Sequence, residues 1–184
     1  MTKLTDATHI LERAIVSGTS ASVVSTIALA CAGHFDSRSA YAPTNAISHW
    51  IWGDRALHVD RPAPRYTAVG YVIHHATSVF WAAFYEAWVE RSPRSRQPMA
   101  VLTAGLGMAA LACFVDLKCT PQRLTPGFER RLSGGPLALV YVAFGLGLAL
   151  TTLWRNRREQ RDQRESARPQ PDDGTLLHEA NEPA

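Results

Sequence analysis

Four blocks of apolar residues, each about as long as a bilayer is thick, set what this chain can fold into. They cover roughly residues 14–32, 67–89, 99–117 and 136–154. A helix needs about 20 mostly apolar residues to cross ~30 Å of hydrocarbon. The last block carries no charge and turns apolar or small residues in every direction. A helix apolar all round belongs in a bilayer or at the centre of a large protein. At 184 residues the chain is too short to enclose such a centre. The pattern predicts an all-α fold, an integral membrane bundle of four transmembrane helices. Mean hydropathy resembles that of a soluble protein only because two polar stretches, 33–66 and 155–184, dilute the blocks.

The blocks divide the chain into a cytoplasmic N-terminus (1–13), a transmembrane domain (14–154) and a disordered cytoplasmic tail (155–184). The tail begins dense in Arg and ends acidic, with no Lys or Arg after Arg168. The net charge of +3 therefore reads as a basic cluster beside a span, suited to anionic lipid head groups, and not as a nucleic-acid site. Placing both termini inside puts 11 Lys and Arg on the cytoplasmic side and 8 outside. That bias fits a multi-pass protein of a bacterial inner membrane. Trp88 and Trp154 then lie at the inner interface. The run Ala28-Leu29-Ala30-Cys31 resembles a lipoprotein processing site with its Leu one place out of position. Asp6 and Glu12 upstream are unlike a signal peptide, so the first block reads as a retained span.

The spans carry packing signals. Ser17, Ala21 and Ser25 recur every four residues in the first, as do Gly105 and Ala109 in the third and Ala143 and Gly147 in the fourth. Small residues at that spacing let helix backbones approach closely in lipid. The second span is the chemically distinctive one. Thr67, Tyr71, His74, Ser78, Trp81 and Tyr85 fall on one helical stripe, with His75 and Glu86 on its flank. Val72, Ile73, Ala76, Phe80, Ala83, Phe84 and Ala87 lie opposite, as a lipid face. Ionisable groups at membrane depth normally face the bundle interior. The expectation is that His74 finds a partner such as Asp116, and that Glu86 pairs with Arg91 or Arg155. In the first outer loop, Ala46, Ile47, Trp50 and Ile51 have helical spacing, which suggests a short helix lying on the outer interface. A lid over the bundle is the alternative.

The candidate binding residues are thus His74, Ser78, Tyr85, Glu86 and Asp116. His49, His74 and His75, with nearby Cys and Asp, are weak candidates for a transition metal or haem. There is no HExxH, paired CxxC or CxxCH, and adjacent histidines point about 100° apart on a helix, so no metal or cofactor is expected. Cys31 and Cys119, at outer span ends, could form a disulfide in an oxidising compartment. No phosphate loop, nucleophile elbow or dinucleotide fingerprint occurs.

Two phrases carry a resemblance. One is Asn45-Ala46-Ile47-Ser48-His49-Trp50-Ile51-Trp52-Gly53-Asp54. The other is Arg123-Leu124-Thr125-Pro126-Gly127-Phe128-Glu129, followed by an apolar span and an Arg-rich exit. Together they resemble small bacterial inner-membrane proteins, and the second loosely resembles the YagU-like family. The resemblance implies an integral inner-membrane protein and transfers no catalytic residue. Thr125-Pro126-Gly127 itself reads as a turn that lets Phe128 dip into the interface while Glu129 stays wet. The function expected is non-enzymatic, with a role in the envelope or in assembly. The partners expected are the lipid bilayer and a second copy or another membrane protein. The alternatives are a transporter or channel subunit using the stripe of span 2, and a metal- or haem-binding membrane oxidoreductase.

Overall fold

Local sequence sets where each long helix starts and stops. The computed structural model of the chain describes residues 2–167, with side chains from residue 7 onward. Helix α1 runs Thr2–Asp36, so the N-terminal segment continues the first span without a break. Two short helices, α2 (Ala42–Ile47) and α3 (His49–Trp52), and a 3-10 turn (Gly53–His58) fill the first long connection, at the end of the bundle labelled outer, the opposite end being labelled inner. Helix α4 (Pro64–Arg91) and helix α5 (Pro98–Phe114) each have a proline in their first turn, where the missing N–H costs nothing. A π-turn, Val115–Cys119, extends α5. Two 3-10 turns, Gln122–Leu124 and Phe128–Arg130, lead to helix α6 (Gly134–Ser166). Among the described residues there is no strand.

Helix α6 runs through residue 166, which corrects the expected disorder of the basic part of the tail. Arg-, Glu- and Gln-rich sequence has good helix propensity and here extends a helix already nucleated in the bundle. The acidic end of the tail lies outside the described residues.

Among the described residues three helices are long and apolar enough to cross a membrane: Ala7–Asp36, Pro98–Cys119 and Gly134–Ser166. Helix α4 has the length, with 28 residues, but does not share that composition. Its inward stripe of His, Ser, Thr, Tyr and Glu lowers its apolar content.

The bundle closes around α1, which packs against both α4 and α6, while α5 packs on α6. Small residues make these contacts close. A Cβ on Gly18 would lie 2.6 Å from Val79 Cα, and one on Gly145 would lie 2.8 Å from Gly105 O. The expected small-residue spacing of α5 is used as such, with Gly105 and Ala109 both against Gly145. Helices α4 and α5 touch much less. The short turn at residues 92–97 joins them at the inner end, and they part toward the outer end.

The outer connections form one cap. Asn45 is fully buried and fully bonded: its Nδ2 donates to Val59 O at 2.8 Å and Arg61 O at 3.0 Å, and its Oδ1 accepts from Thr67 Oγ1 at 2.6 Å. The Thr44 carbonyl sits directly against Gly70 of α4, where no side chain fits. Trp50 Nε1 donates to Thr125 O at 2.8 Å, tying the first outer connection to the second. Arg131 holds Leu57 O at 2.8 Å and pairs with Asp60. Residues 42–49 are buried. The segment expected to form one short helix forms two, and residues 42–49 of it pack between the ends of the long helices, where Thr67 of α4 holds Asn45.

The Gly105–Gly145 contact makes a prediction. Gly145→Leu should destabilise the protein by about 1–3 kcal/mol, the usual cost of overpacking, read as a lower melting temperature in detergent. Gly107→Ala, on the same stretch of α5 but with nothing within 4 Å, should melt at or above the wild-type temperature. Equal effects from both would overturn this packing.

Candidate functional site

A cavity of about 260 Å³ lies in the gap where α4 and α5 part. Its back wall is Ser25 of α1 with Val140, Tyr141 and Phe144 of α6. Its sides are Ile73, His74, Thr77, Ser78, Phe80 and Trp81 of α4, and Ala112, Val115 and Asp116 of α5 and its π-turn. Ile47, Trp50, Leu124, Pro126 and Phe128 of the cap close its outer end. Phe80 and Leu124 line it and are also 56 % and 48 % exposed, so the cavity reaches the flank of the bundle.

Thr77, Ser78 and Thr120 of the wall donate to backbone carbonyls, and two pairs of side chains bond to each other. The first is His74 with Ser25, at 2.8 Å between Nε2 and Oγ. Ser25 Oγ already donates to Ala21 O at 2.7 Å, so its lone pair accepts from His74 Nε2–H. That assignment makes His74 a neutral Nε2–H tautomer with a bare Nδ1. Phe128 packs edge-on against the His74 ring with centroids 6.5 Å apart. In the second pair, Tyr141 donates through its hydroxyl to Asp116 Oδ2 at 3.0 Å. The π-turn carries Asp116: Thr120 N–H reaches back five residues to Val115 O at 2.9 Å. Such turns are rare and are frequent at functional sites.

The structure divides the predicted site residues. His74, Ser78 and Asp116 line the cavity, but His74 is bonded to Ser25 and not to Asp116. Tyr85 and Glu86 lie in the inner half, away from it. Tyr85 OH donates to Thr152 Oγ1 at 3.1 Å, and Arg155 donates to Glu86 Oε2 at 3.1 Å. Of the two partners expected for Glu86, α6 supplies Arg155, while Arg91 turns back to Ala87 O of its own helix. His49 sits under the cap with Nδ1 bonded to Ala46 O at 2.9 Å and Nε2 buried without a partner. His75 stacks on Tyr71 on the other flank of α4, with centroids 6.0 Å apart. Among the described residues no three His, Cys, Asp or Glu gather as a metal would require, so His49, His74 and His75 do not converge. Cys31 and Cys119 are free, exposed thiols.

Sequence reasoning missed Tyr141 and Phe128. Tyr141 is the only hydrogen-bonding side chain in residues 137–150, a signal that could have found it. Phe128 had none. It was expected to dip into the interface, with Glu129 wet. Instead the Thr125-Pro126-Gly127 turn, with Gly127 at φ 86°, drives Phe128 into the core, 6.0 Å from the Tyr141 ring. Glu129 Oε2 is buried and has no hydrogen-bond partner.

No protein-family model, curated protein or solved structure matches this chain significantly.

Two predictions follow from the bonds of α4. His74→Ala and Ser25→Ala should each lower stability and be non-additive, with a coupling of about 0.6 kcal/mol and at most ~1.7, the range of such bonds inside membrane bundles. Ala76→Leu on the exposed face should barely change the melting temperature. Additive His74 and Ser25 effects would remove the bond. At the inner end, Arg155→Ala should destabilise more than Glu86→Gln. The first strands a fully buried carboxylate, at about 3–5 kcal/mol for a broken buried pair. The second leaves only a guanidinium that reaches water. The reverse order in thermal melts would show that the carboxylate has another partner.

Proposed function

We propose that this chain is an integral protein of a bacterial inner membrane, a bundle of four spans with both termini cytoplasmic, which binds a small ligand entering from the lipid phase between α4 and α5. The observation that carries this reading is the cavity itself. It is roofed by an ordered cap, reaches the flank of the bundle, and has mostly apolar walls with two polar pairs set into them. Ligand sites are commonly concave and apolar with a few polar groups that fix orientation. Helix α4 completes the span count, because its polar stripe faces inward while Val72, Phe80 and Phe84 are exposed. The resemblance to inner-membrane proteins of the YagU-like type agrees with this setting.

Binding is favoured over a polar path across the bundle by the packing below the cavity. Ala82, Tyr85 and Leu148 are fully buried there, and the Tyr85 hydroxyl and one Glu86 oxygen are engaged with Thr152 and Arg155. Ser25, the serine within reach of His74, and Ser78 are both engaged with helix carbonyls, which favours a structural role for the Ser25–His74 bond over a nucleophile–base pair. The reading is therefore non-enzymatic.

The test uses n-butylbenzene with protein in nanodiscs. At tenfold excess over its dissociation constant, a bound ligand stabilises by about 1.4 kcal/mol, which for a chain of this size raises the melting temperature by roughly 3–6 °C. Thr77→Phe places a ring in the cavity and should abolish the shift. No shift in the wild type, or the same shift in Thr77→Phe, would reject the site. Reporter fusions after residue 158 and within residues 54–65 should show opposite sidedness, and equal sidedness would reject the four-span topology.

A further inference from the structure

The chemistry of the cavity wall points to a class of ligand. Asp116 is the only carboxylate lining the cavity, and no Lys or Arg lines it. The carboxylate accepts one bond from the Tyr141 hydroxyl, which is neutral, and has no ion-pair partner among the described residues. The contrast within the molecule is informative. Glu86, the acid buried at the inner end, has its arginine, and the cap acids Asp54 and Asp60 have theirs. Among the described residues Asp36, Glu129 and the acids of residues 159–165 also stand without a cation, and of these Asp116 alone lines the cavity. A carboxylate among low-dielectric walls exerts a strong field, and an anion entering the cavity would be repelled. Glu129, in the cap, adds a buried oxygen without a partner of its own.

Beside the aliphatic and hydroxyl side chains, the wall is rich in aromatic rings. Trp50, Phe80, Trp81, Phe128, Tyr141 and Phe144 all line the cavity. Ring faces carry negative electrostatic potential, and cages of such rings are the usual binding site for organic ammonium groups. A metal ion would instead need several converging oxygen, nitrogen or sulfur ligands, and none are gathered among the described residues. A neutral lipophile would fill the volume but leave Asp116 uncompensated.

From this combination we infer that the cavity takes a lipophilic organic cation, an alkylated or aromatic ammonium or pyridinium, with Asp116 as its counter-charge and the six rings as its cage. The inference rests on the lipid-accessible binding site proposed above and names what that site selects. Tyr141 is a positioning residue: its hydroxyl holds Asp116 Oδ2 and leaves the other oxygen for the ligand. The π-turn at Val115–Cys119 carries the carboxylate at the outer end of α5.

The experiment compares N-butylpyridinium with n-butylbenzene, which differ in charge and hardly in shape, on purified protein in nanodiscs of zwitterionic lipid. Pyridinium quenches tryptophan, and Trp50 and Trp81 line the cavity, so binding of the cation is read as saturable quenching. Binding of the neutral compound is read by its thermal shift. The wild type should show saturable quenching that disappears when Trp50 and Trp81 are replaced by Phe. Asp116→Asn keeps an oxygen for Tyr141 and removes the charge. It should weaken the cation at least tenfold and leave n-butylbenzene within twofold. Unchanged cation binding in Asp116→Asn would overturn the inference, as would an equal loss for both compounds in a variant that melts like the wild type. If Asp116→Asn does not fold, the wild type decides alone: saturable quenching lost in the Trp50 and Trp81 variant supports the cation, and quenching linear in concentration overturns it. If n-butylbenzene binds and the cation does not, this inference falls and the lipid-accessible site stands. If neither binds, both fall.

Discussion

In a small bundle whose outside is apolar, ionisable and strongly polar side chains of the long helices are best turned inward and given a partner there. Two dozen or so large apolar side chains face outward in this protein, among them Ile15, Ile27, Phe84, Leu111, Leu146 and Trp154. The polar groups of α4 are consequently bonded across the bundle: His74 to Ser25, Tyr85 to Thr152, Glu86 to Arg155. These three links run along one stripe and tie α4 to α1 at one end and to α6 at the other. They set which face of α4 is inside and fix its register against both neighbours. Asp116 obeys the same constraint less completely, with one neutral donor for a charged group, and that shortfall distinguishes the cavity from the rest of the core.

Close helix contact in one place produces open space in another. Gly105, Gly145 and Gly147 let α1, α6 and α5 approach until backbone nearly meets backbone, and Gly18 does the same for α1 against Val79 of α4. Helix α4 is held to α1 by the same device and by the Ser25–His74 bond. With those contacts made, α4 and α5 cannot also lie side by side along their whole length. Their short inner turn keeps them together below, and the gap above is roofed by the Asn45 and Trp50 cap. The cavity is thus a by-product of tight packing elsewhere, and its aromatic lining comes from four separate parts of the chain. An ordered roof with buried Asn45, Ser48 and His49 is more structure than a connecting loop requires, which is why the space beneath it reads as a site.

Much of this was legible before any coordinates. Helix α4 has the polar and apolar faces its 3.6-residue period prescribes: His74, Ser78, Tyr85 and Glu86 are buried, and Val72, Ala76, Phe80 and Phe84 are exposed. Periodicity and burial are properties of one helix, so one helix's sequence suffices to state them. The small-residue positions of α5 were legible for the same reason, and Thr125-Pro126-Gly127 as a turn because Gly127 adopts a positive φ that few other residues accept. Extent was less legible. The helix through Ser166 was missed because propensity is a weak guide next to the nucleus a packed helix supplies.

Partners were decided only by the tertiary structure. That His74 meets Ser25, 49 residues away, while Asp116 meets Tyr141, follows from which helices adjoin, and helix adjacency is settled by the glycine contacts among α1, α5 and α6 jointly. The burial of Phe128 and the insertion of residues 42–49 into the mouth of the bundle depend on Gly70 yielding space to the Thr44 carbonyl, a complementarity between distant segments that neither segment encodes alone. Sequence by itself determined the all-helical class, the apolar exterior and the inward face of α4, because each is a sum of local preferences. The cavity, its roof and its unpaired carboxylate arise from how four faces meet, and a meeting of faces exists only in three dimensions.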